Sequence, residues 1–190
     1  MVGAVLVQHT NWKNVEHAIN NLREANLLEV QKLVAASDKQ LEALIQPAGY
    51  FRRKTKRLRS LMEFVAYEYQ GSIEAMKQVD LVTMREQLLD VHGIGPETAD
   101  AILLYALEKP ALVVDTYTHR IYARHGWIED EADYHQLQSH LASELPVDVD
   151  VFNELHALLV EVGKRYCRKT PKCQECPLVG MLPEEGFVTV

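Results

Sequence analysis

Apolar residues recur at intervals of three and four through almost every segment of this chain, and that period points to helices packed on helices. Val15, Ala18, Ile19 and Leu22 share one helical face. Leu58, Leu61, Met62, Val65 and Tyr69 mark a longer helix, and Ala99, Ile102, Leu103 and Ala106 a third. Tyr134, Leu137 and Leu141 follow the same rule, as do Leu155, Leu158, Leu159 and Val162. Ser37 with Gln40 and Thr83 with Glu86 read as capping boxes opening two more helices. Pro47-Ala48-Gly49 breaks the first of these. Only Ala111 to Val114 has an extended character, and four residues cannot seed a sheet. The expected fold is all-α, with a seam near Lys109-Pro110. That seam separates a helical domain of residues 1–109 from a second of residues 110–190.

At 47% apolar and 25% charged residues, the chain has the composition of a globular protein and excludes disorder, collagen and a disulfide scaffold. The apolar opening from Met1 to Val7 is too short to span a bilayer and lacks the basic flank of a signal peptide. A cytoplasmic monomer without a membrane partner is expected. The opening run has no capping residue ahead of it, so the first helix reads as one that has lost its beginning.

The net charge of −7 argues against a generic nucleic-acid binder, but the charges are segregated. Arg52, Arg53, Lys54, Lys56, Arg57 and Arg59 fall within eight residues, and five more basic residues lie between Lys164 and Lys172. The nine acidic residues from Glu129 to Glu161 have no Lys or Arg among them. A positive face and a negative back would give this pattern, and so would solvated helix faces.

The most informative stretch is Val91-His92-Gly93-Ile94-Gly95-Pro96-Glu97-Thr98-Ala99. One helix ends, a Gly-Ile-Gly hairpin follows, and Pro96 stands at the first position of the next helix, where its missing N–H is harmless. The glycines permit a positive φ and close approach of another backbone, while Ile94 can plug the turn. Outward N–H groups at such a hairpin suit a phosphate, although a plain helix–turn–helix corner uses the same residues. Eighteen residues after Glu97 comes Asp115, in Val114-Asp115-Thr116. Asp115 reads equally well as the N-cap of a helix starting at Thr116 or as a catalytic carboxylate.

These pieces in this order resemble the endonuclease III-like helix–hairpin–helix (HhH-GPD) superfamily of DNA glycosylases. Gln8-His9-Thr10, Pro47-Ala48-Gly49-Tyr50-Phe51 and the C-terminal cysteines belong to the same resemblance, which spans nearly the whole chain. It implies two helical domains with double-stranded DNA bound in the cleft between them, and a nucleoid-associated enzyme that excises a damaged base. Asp115 then stabilises the oxocarbenium-like transition state and activates water. The hairpin residues Gly93, Ile94, Gly95 and Thr98, with basic Arg52, Arg53 and Lys54, become the DNA contacts. Gln8 fills the gap left by a flipped nucleotide and Trp12 stacks on its base, unless Trp12 is a core anchor. His9 is either a pocket wall or a core residue.

Members with lyase activity carry a lysine nucleophile where this chain has Glu97, at the mouth of the base pocket. A carboxylate forms no Schiff base, so a monofunctional enzyme is expected. The run Gly-Ile-Gly-Pro-Glu-Thr-Ala-Asp-Ala-Ile-Leu is similar to the 3-methyladenine glycosylase branch, which implies an alkylated purine as substrate. A bifunctional lyase and a non-catalytic DNA-binding relic are the alternatives. In the family an N-terminal helix helps to build the base pocket, and the chain is expected to start after it.

Cys167, Cys173 and Cys176 are clustered and odd in number, which suits ligands better than disulfides. Their spacing resembles the [4Fe–4S] loop of endonuclease III with its first gap one residue shorter and Leu182 at the fourth cysteine position. The choices are a cluster with a non-cysteine fourth ligand, a zinc site borrowing a histidine, or a metal-free loop.

Overall fold

The computed structural model describes residues 1–190 and is built of α-helices, turns and short 3-10 segments, with no strand. The backbone forms two compact units, Met1–Lys109 and Pro110–Val190. No helix is long and apolar enough to cross a membrane.

The first unit holds α1 (Val2–Leu6), α2 (Trp12–Glu24), α3 (Val30–Ala35), α4 (Asp38–Ile45), α5 (Phe51–Tyr69), α6 (Ile73–Gln78), α7 (Leu81–Asp90) and α8 (Pro96–Leu107). Its core runs along α5, where Leu58, Leu61 and Val65 are fully buried, as are Leu22, Leu41, Ile45, Met84, Leu88 and Ile102 from the surrounding helices. Each such side chain stabilises the fold by about 1.5–3 kcal/mol relative to exposure. The Ser37 hydroxyl caps α4 by accepting the Gln40 N–H, as its spacing suggests. Helix α7 departs from expectation. Its cap is Asp80, whose carboxylate accepts the Thr83 N–H at 3.0 Å, and Thr83 lies inside the helix. An aspartate three residues ahead of a free N–H is a strong cap, and it took precedence over the threonine.

Helices α7 and α8, which flank the Gly-Ile-Gly turn, are joined by a bidentate ion pair. Arg85 Nε donates to Asp100 Oδ1 at 2.7 Å and Nη2 to Oδ2 at 3.1 Å, with Asp100 fully buried. The planar guanidinium fork matches the carboxylate and so sets the angle at which the two helices leave the turn.

The second unit starts with the buried segment Ala111 to Val114, which pairs with no strand. Then come α9 (Thr116–Arg124), α10 (Tyr134–Glu144) and α11 (Val149–Arg165), followed by a C-terminal loop with two 3-10 turns. Ile121, Leu159, Val162, Cys167 and Cys176 form one buried cluster in it. Helix α11 approaches α9 at Gly163, where a Cβ would stand 2.4 Å from the Tyr117 ring. Leu158, which the apolar spacing places in the stripe, is 55% exposed.

Candidate active site

The turn between α7 and α8 is held from behind. Gly93 adopts φ +84°, and a Cβ there would meet the Arg57 Cγ at 2.3 Å. Gln8, just past the end of α1, donates from Nε2 to the Thr98 hydroxyl at 2.9 Å and to the Gly93 carbonyl at 3.3 Å. Arg57 Nη1 donates to the Gln8 side-chain amide oxygen Oε1. By contrast Gly95 is extended, exposed, and has nothing within 4 Å of where its Cβ would lie. It is the N-cap of α8 and brings no side chain over the helix's first N–H groups. Those donors, at the positive end of the helix dipole, are what an anion would meet.

This geometry removes three of the expected DNA contacts. Ile94 is 5% exposed, and its N–H donates to the Val91 carbonyl at 3.0 Å, so neither side chain nor amide faces outward. Thr98 is buried and its hydroxyl accepts from Gln8. Lys54 is 1% exposed; its ammonium donates to the Leu6 carbonyl at 2.8 Å and the Ala48 carbonyl at 2.7 Å. These carbonyls end α1 and the 3-10 turn Gln46–Ala48 that follows α4, and a buried cation there satisfies them. Burial, with a smaller push from Arg57, lowers the Lys54 pKa to about 8. Arg59 is likewise occupied, by Asp38 and by the carbonyls of Val34 and Ala36. Of the basic run, Arg52, Arg53 and Lys56 remain exposed.

His9 and Tyr50 lie on the same side of this unit as a cleft that they line with Arg53, Lys54 and Arg57. Both have left-handed backbone, φ 56° and 47°, and their rings meet edge to face at 6.2 Å. His9 is exposed, which settles it as a cleft wall rather than a core residue. Strained non-glycine residues of this kind gather at functional sites. Trp12 begins α2 with its ring against Gly3 and is 48% exposed. Glu97 sits exposed in the first turn of α8.

In the second unit Asp115 is the N-cap of α9. Its Oδ1 accepts the Thr118 N–H at 2.7 Å and the Thr118 hydroxyl at 2.9 Å. The other oxygen, Oδ2, lies 3.7 Å from His156 Nε2 on α11, beyond direct hydrogen-bond distance. Burial alone would raise the Asp115 pKa. His156 and the Thr118 amide and hydroxyl outweigh it, so the carboxyl is held below its ordinary value. The side chain is only 11% exposed. A carboxylate kept ionised in a sheltered place, with one oxygen outside the cap, can stabilise a neighbouring cation or take a proton from water. Sequence reasoning missed His156, and it met Tyr50 and Arg57 only inside longer motifs, with no individual role. Only the apolar period of α11, which puts His156 on the helix, hinted at the first.

The three cysteine thiols line one cavity, together with Arg124, His125, Leu178 and Leu182 among others. Burial first, then the neighbouring Cys167 and Cys176, push the Cys173 thiol up against the opposing pull of Arg124. Arg124 Nη1 also reaches Cys167 Sγ at 3.5 Å and the Arg168 carbonyl at 2.6 Å. No three His, Cys, Asp or Glu side chains converge closely enough to hold a single metal ion. That arrangement disfavours zinc, whose ligands must all lie about 2.0–2.3 Å from one point. A cluster differs in presenting a separate iron to each ligand, so it asks only that the thiols share a cavity, as these three do.

Residues 2–147 match the family model described as HhH-GPD superfamily base excision DNA repair protein. A Methanocaldococcus jannaschii protein named as a candidate DNA repair glycosylase is 44% identical over 180 residues, 94% of this chain and 81% of that one. The H. pylori 3-methyladenine DNA glycosylase, solved bound to 1,N6-ethenoadenine, superposes with a TM-score of 0.74 at 31% identity. The match covers 86% of this chain and 83% of that structure. An endonuclease III solved in a non-covalent DNA complex superposes with a TM-score of 0.82 at 23% identity, covering 96% and 81%. The last comparison shows the shared fold.

Proposed function

Because the chain belongs to the HhH-GPD superfamily of base excision DNA repair proteins, we propose that it is a monofunctional DNA N-glycosylase acting on an alkylated purine. The observation that carries this reading is Asp115: ionised, sheltered, with Oδ1 used by the helix cap and Oδ2 outside it. As the base leaves, positive charge develops on the sugar, and a fixed carboxylate stabilises it. The same oxygen can orient and deprotonate the water that adds to C1′. A base that is already cationic leaves readily, and it asks for an aromatic face more than for a strong acid. Trp12 and Tyr50, both substantially exposed, offer such faces. The likeness to the H. pylori 3-methyladenine glycosylase supports the choice of lesion.

Binding of double-stranded DNA is assigned to Gly93 and Gly95 at the turn and to exposed Arg52 and Arg53. When bound, a [4Fe–4S] cluster on Cys167, Cys173 and Cys176 supplies a fixed knot that orders the C-terminal loop. Arg168, Lys169 and Lys172 in that loop would then face phosphates.

The test is excision from a panel of duplexes carrying alkylated, oxidised or deaminated bases. Release of 3-methyladenine or ethenoadenine above the rest is expected. Preference for an oxidised pyrimidine, with strand cleavage, would establish the bifunctional reading. Release of no base from any duplex that the protein binds would establish the relic.

The two glycines are expected to behave differently. Gly93→Val forces a branched side chain into a left-handed backbone and against Arg57, so it should lower the melting temperature; the backbone strain alone costs about 1–2 kcal/mol. Gly95→Val has open space and an extended backbone and should melt within about 1 kcal/mol of the native protein. It should nevertheless bind every duplex several-fold more weakly, damaged or not, because phosphate contacts carry no sequence information. Fluorescence anisotropy reads this directly. A variant with altered lesion preference and intact overall affinity would contradict the assignment.

A further inference from the structure

His125 ends α9 and is 7% exposed. Its Nδ1 lies 2.7 Å from the Ile121 carbonyl, an oxygen that can only accept. Nδ1 therefore carries a proton, and in that tautomer of the imidazole Nε2 presents a lone pair. That Nε2 is buried and has no hydrogen-bond partner. A buried acceptor with nothing to accept from costs about 1–3 kcal/mol and calls for an explanation.

The explanation lies in the cavity that the ring lines. Cys167, Cys173 and Cys176 line the same cavity, and so does Leu182, the residue at the position where a fourth cysteine is wanted. Leucine cannot ligate iron. The ring is pinned at Nδ1 by a backbone carbonyl and unpartnered at Nε2, which is how metal-bound histidines are commonly prepared. Trp127 packs on the ring at 4.4 Å between centroids and limits its rotation.

We infer that His125 is the fourth ligand of a [4Fe–4S] cluster, with Nε2 taking the place of the thiolate that Leu182 cannot supply. Cys167, Cys173 and Cys176 hold the other three irons. Replacing one anionic thiolate by a neutral imidazole leaves the cluster one unit less negative. Its reduction potential is then higher than that of an all-cysteine site, as histidine ligation raises it elsewhere. Arg124, against Cys167 Sγ, acts in the same direction.

The experiment is anaerobic reconstitution of the full chain with ferrous iron and sulfide, read by iron content and by electron paramagnetic resonance of the reduced protein labelled with 15N-histidine. The native protein should show nitrogen hyperfine coupling. His125→Ala should lose that coupling and about a quarter of its iron. His125→Cys should keep the iron, lose the coupling and shift to a lower potential. Leu182→Cys combined with His125→Ala should recover the iron, which separates loss of a ligand from failure to fold. A native cluster without nitrogen coupling, an unchanged cluster in His125→Ala, or failure to assemble any cluster would each overturn the inference. None of these readouts depends on base excision, so the proposed glycosylase activity stands or falls separately.

Discussion

Asp115→Asn is expected to fold and bind DNA as the native protein does, yet to excise its base roughly 100- to 1000-fold more slowly, a loss of about 2.7–4 kcal/mol of transition-state stabilisation. The structure makes this substitution unusually clean. Asparagine caps helices as well as aspartate does, and its amide oxygen can accept from the Thr118 N–H and hydroxyl as Oδ1 does. What disappears is the charge and the basic oxygen facing His156. The depressed Asp115 pKa adds a pH signature. A carboxyl whose folded pKa lies below its unfolded value stabilises the fold above the unfolded value. That contribution is lost as pH falls through the folded one. The stability difference between native and Asp115→Asn protein, measured by urea unfolding, should therefore be level at neutral pH and close below the ordinary aspartate range. Near-native excision by the mutant would remove Asp115 from the chemistry.

The second large effect concerns what the protein leaves undone. Product strands should break only after alkali or heat, and borohydride should trap no covalent protein–DNA adduct. A lyase needs an unprotonated amine within bonding reach of C1′. Glu97 stands in the first turn of α8 where lyase members carry lysine. Lys109, beyond the far end of the same helix, donates to the Lys77 carbonyl at 2.9 Å and to that of Val79. Lys54 has the lowered pKa that a nucleophile wants, but its amine is buried on two carbonyls. Glu97→Lys should introduce some borohydride trapping, provided the sugar reaches the new amine. A strong adduct with the native protein would replace the monofunctional reading with the bifunctional one.

The all-helical fold was legible because long helices bury one stripe each and repeat it every turn. α2, α5 and α8 are long enough to show that period. α3 and α6 have six residues each and bury a single apolar side chain apiece, Leu33 and Met76, too little for a period to emerge. At the site, the Gly-Ile-Gly-Pro run and Asp115 were readable because local backbone geometry demands those residue types. Lys54 was misread because a basic run says nothing about which side chain turns inward; carbonyls of Leu6 and Ala48 decide that. His156 lies beside Asp115, forty-one residues away in the chain, and no local pattern announces such a pairing. The Gln8–Thr98 bond is of the same kind: both residues were noticed, but not that they satisfy each other.

Excision of a single alkylated base from an end-labelled duplex under single turnover, with each time point loaded with and without alkali, tests the central claim most directly. The native protein should give a full-length strand before alkali and a cleaved strand after it, and Asp115→Asn should give a full-length strand both before and after alkali on the same timescale. Cleavage before alkali, or equal product from the mutant, would contradict it.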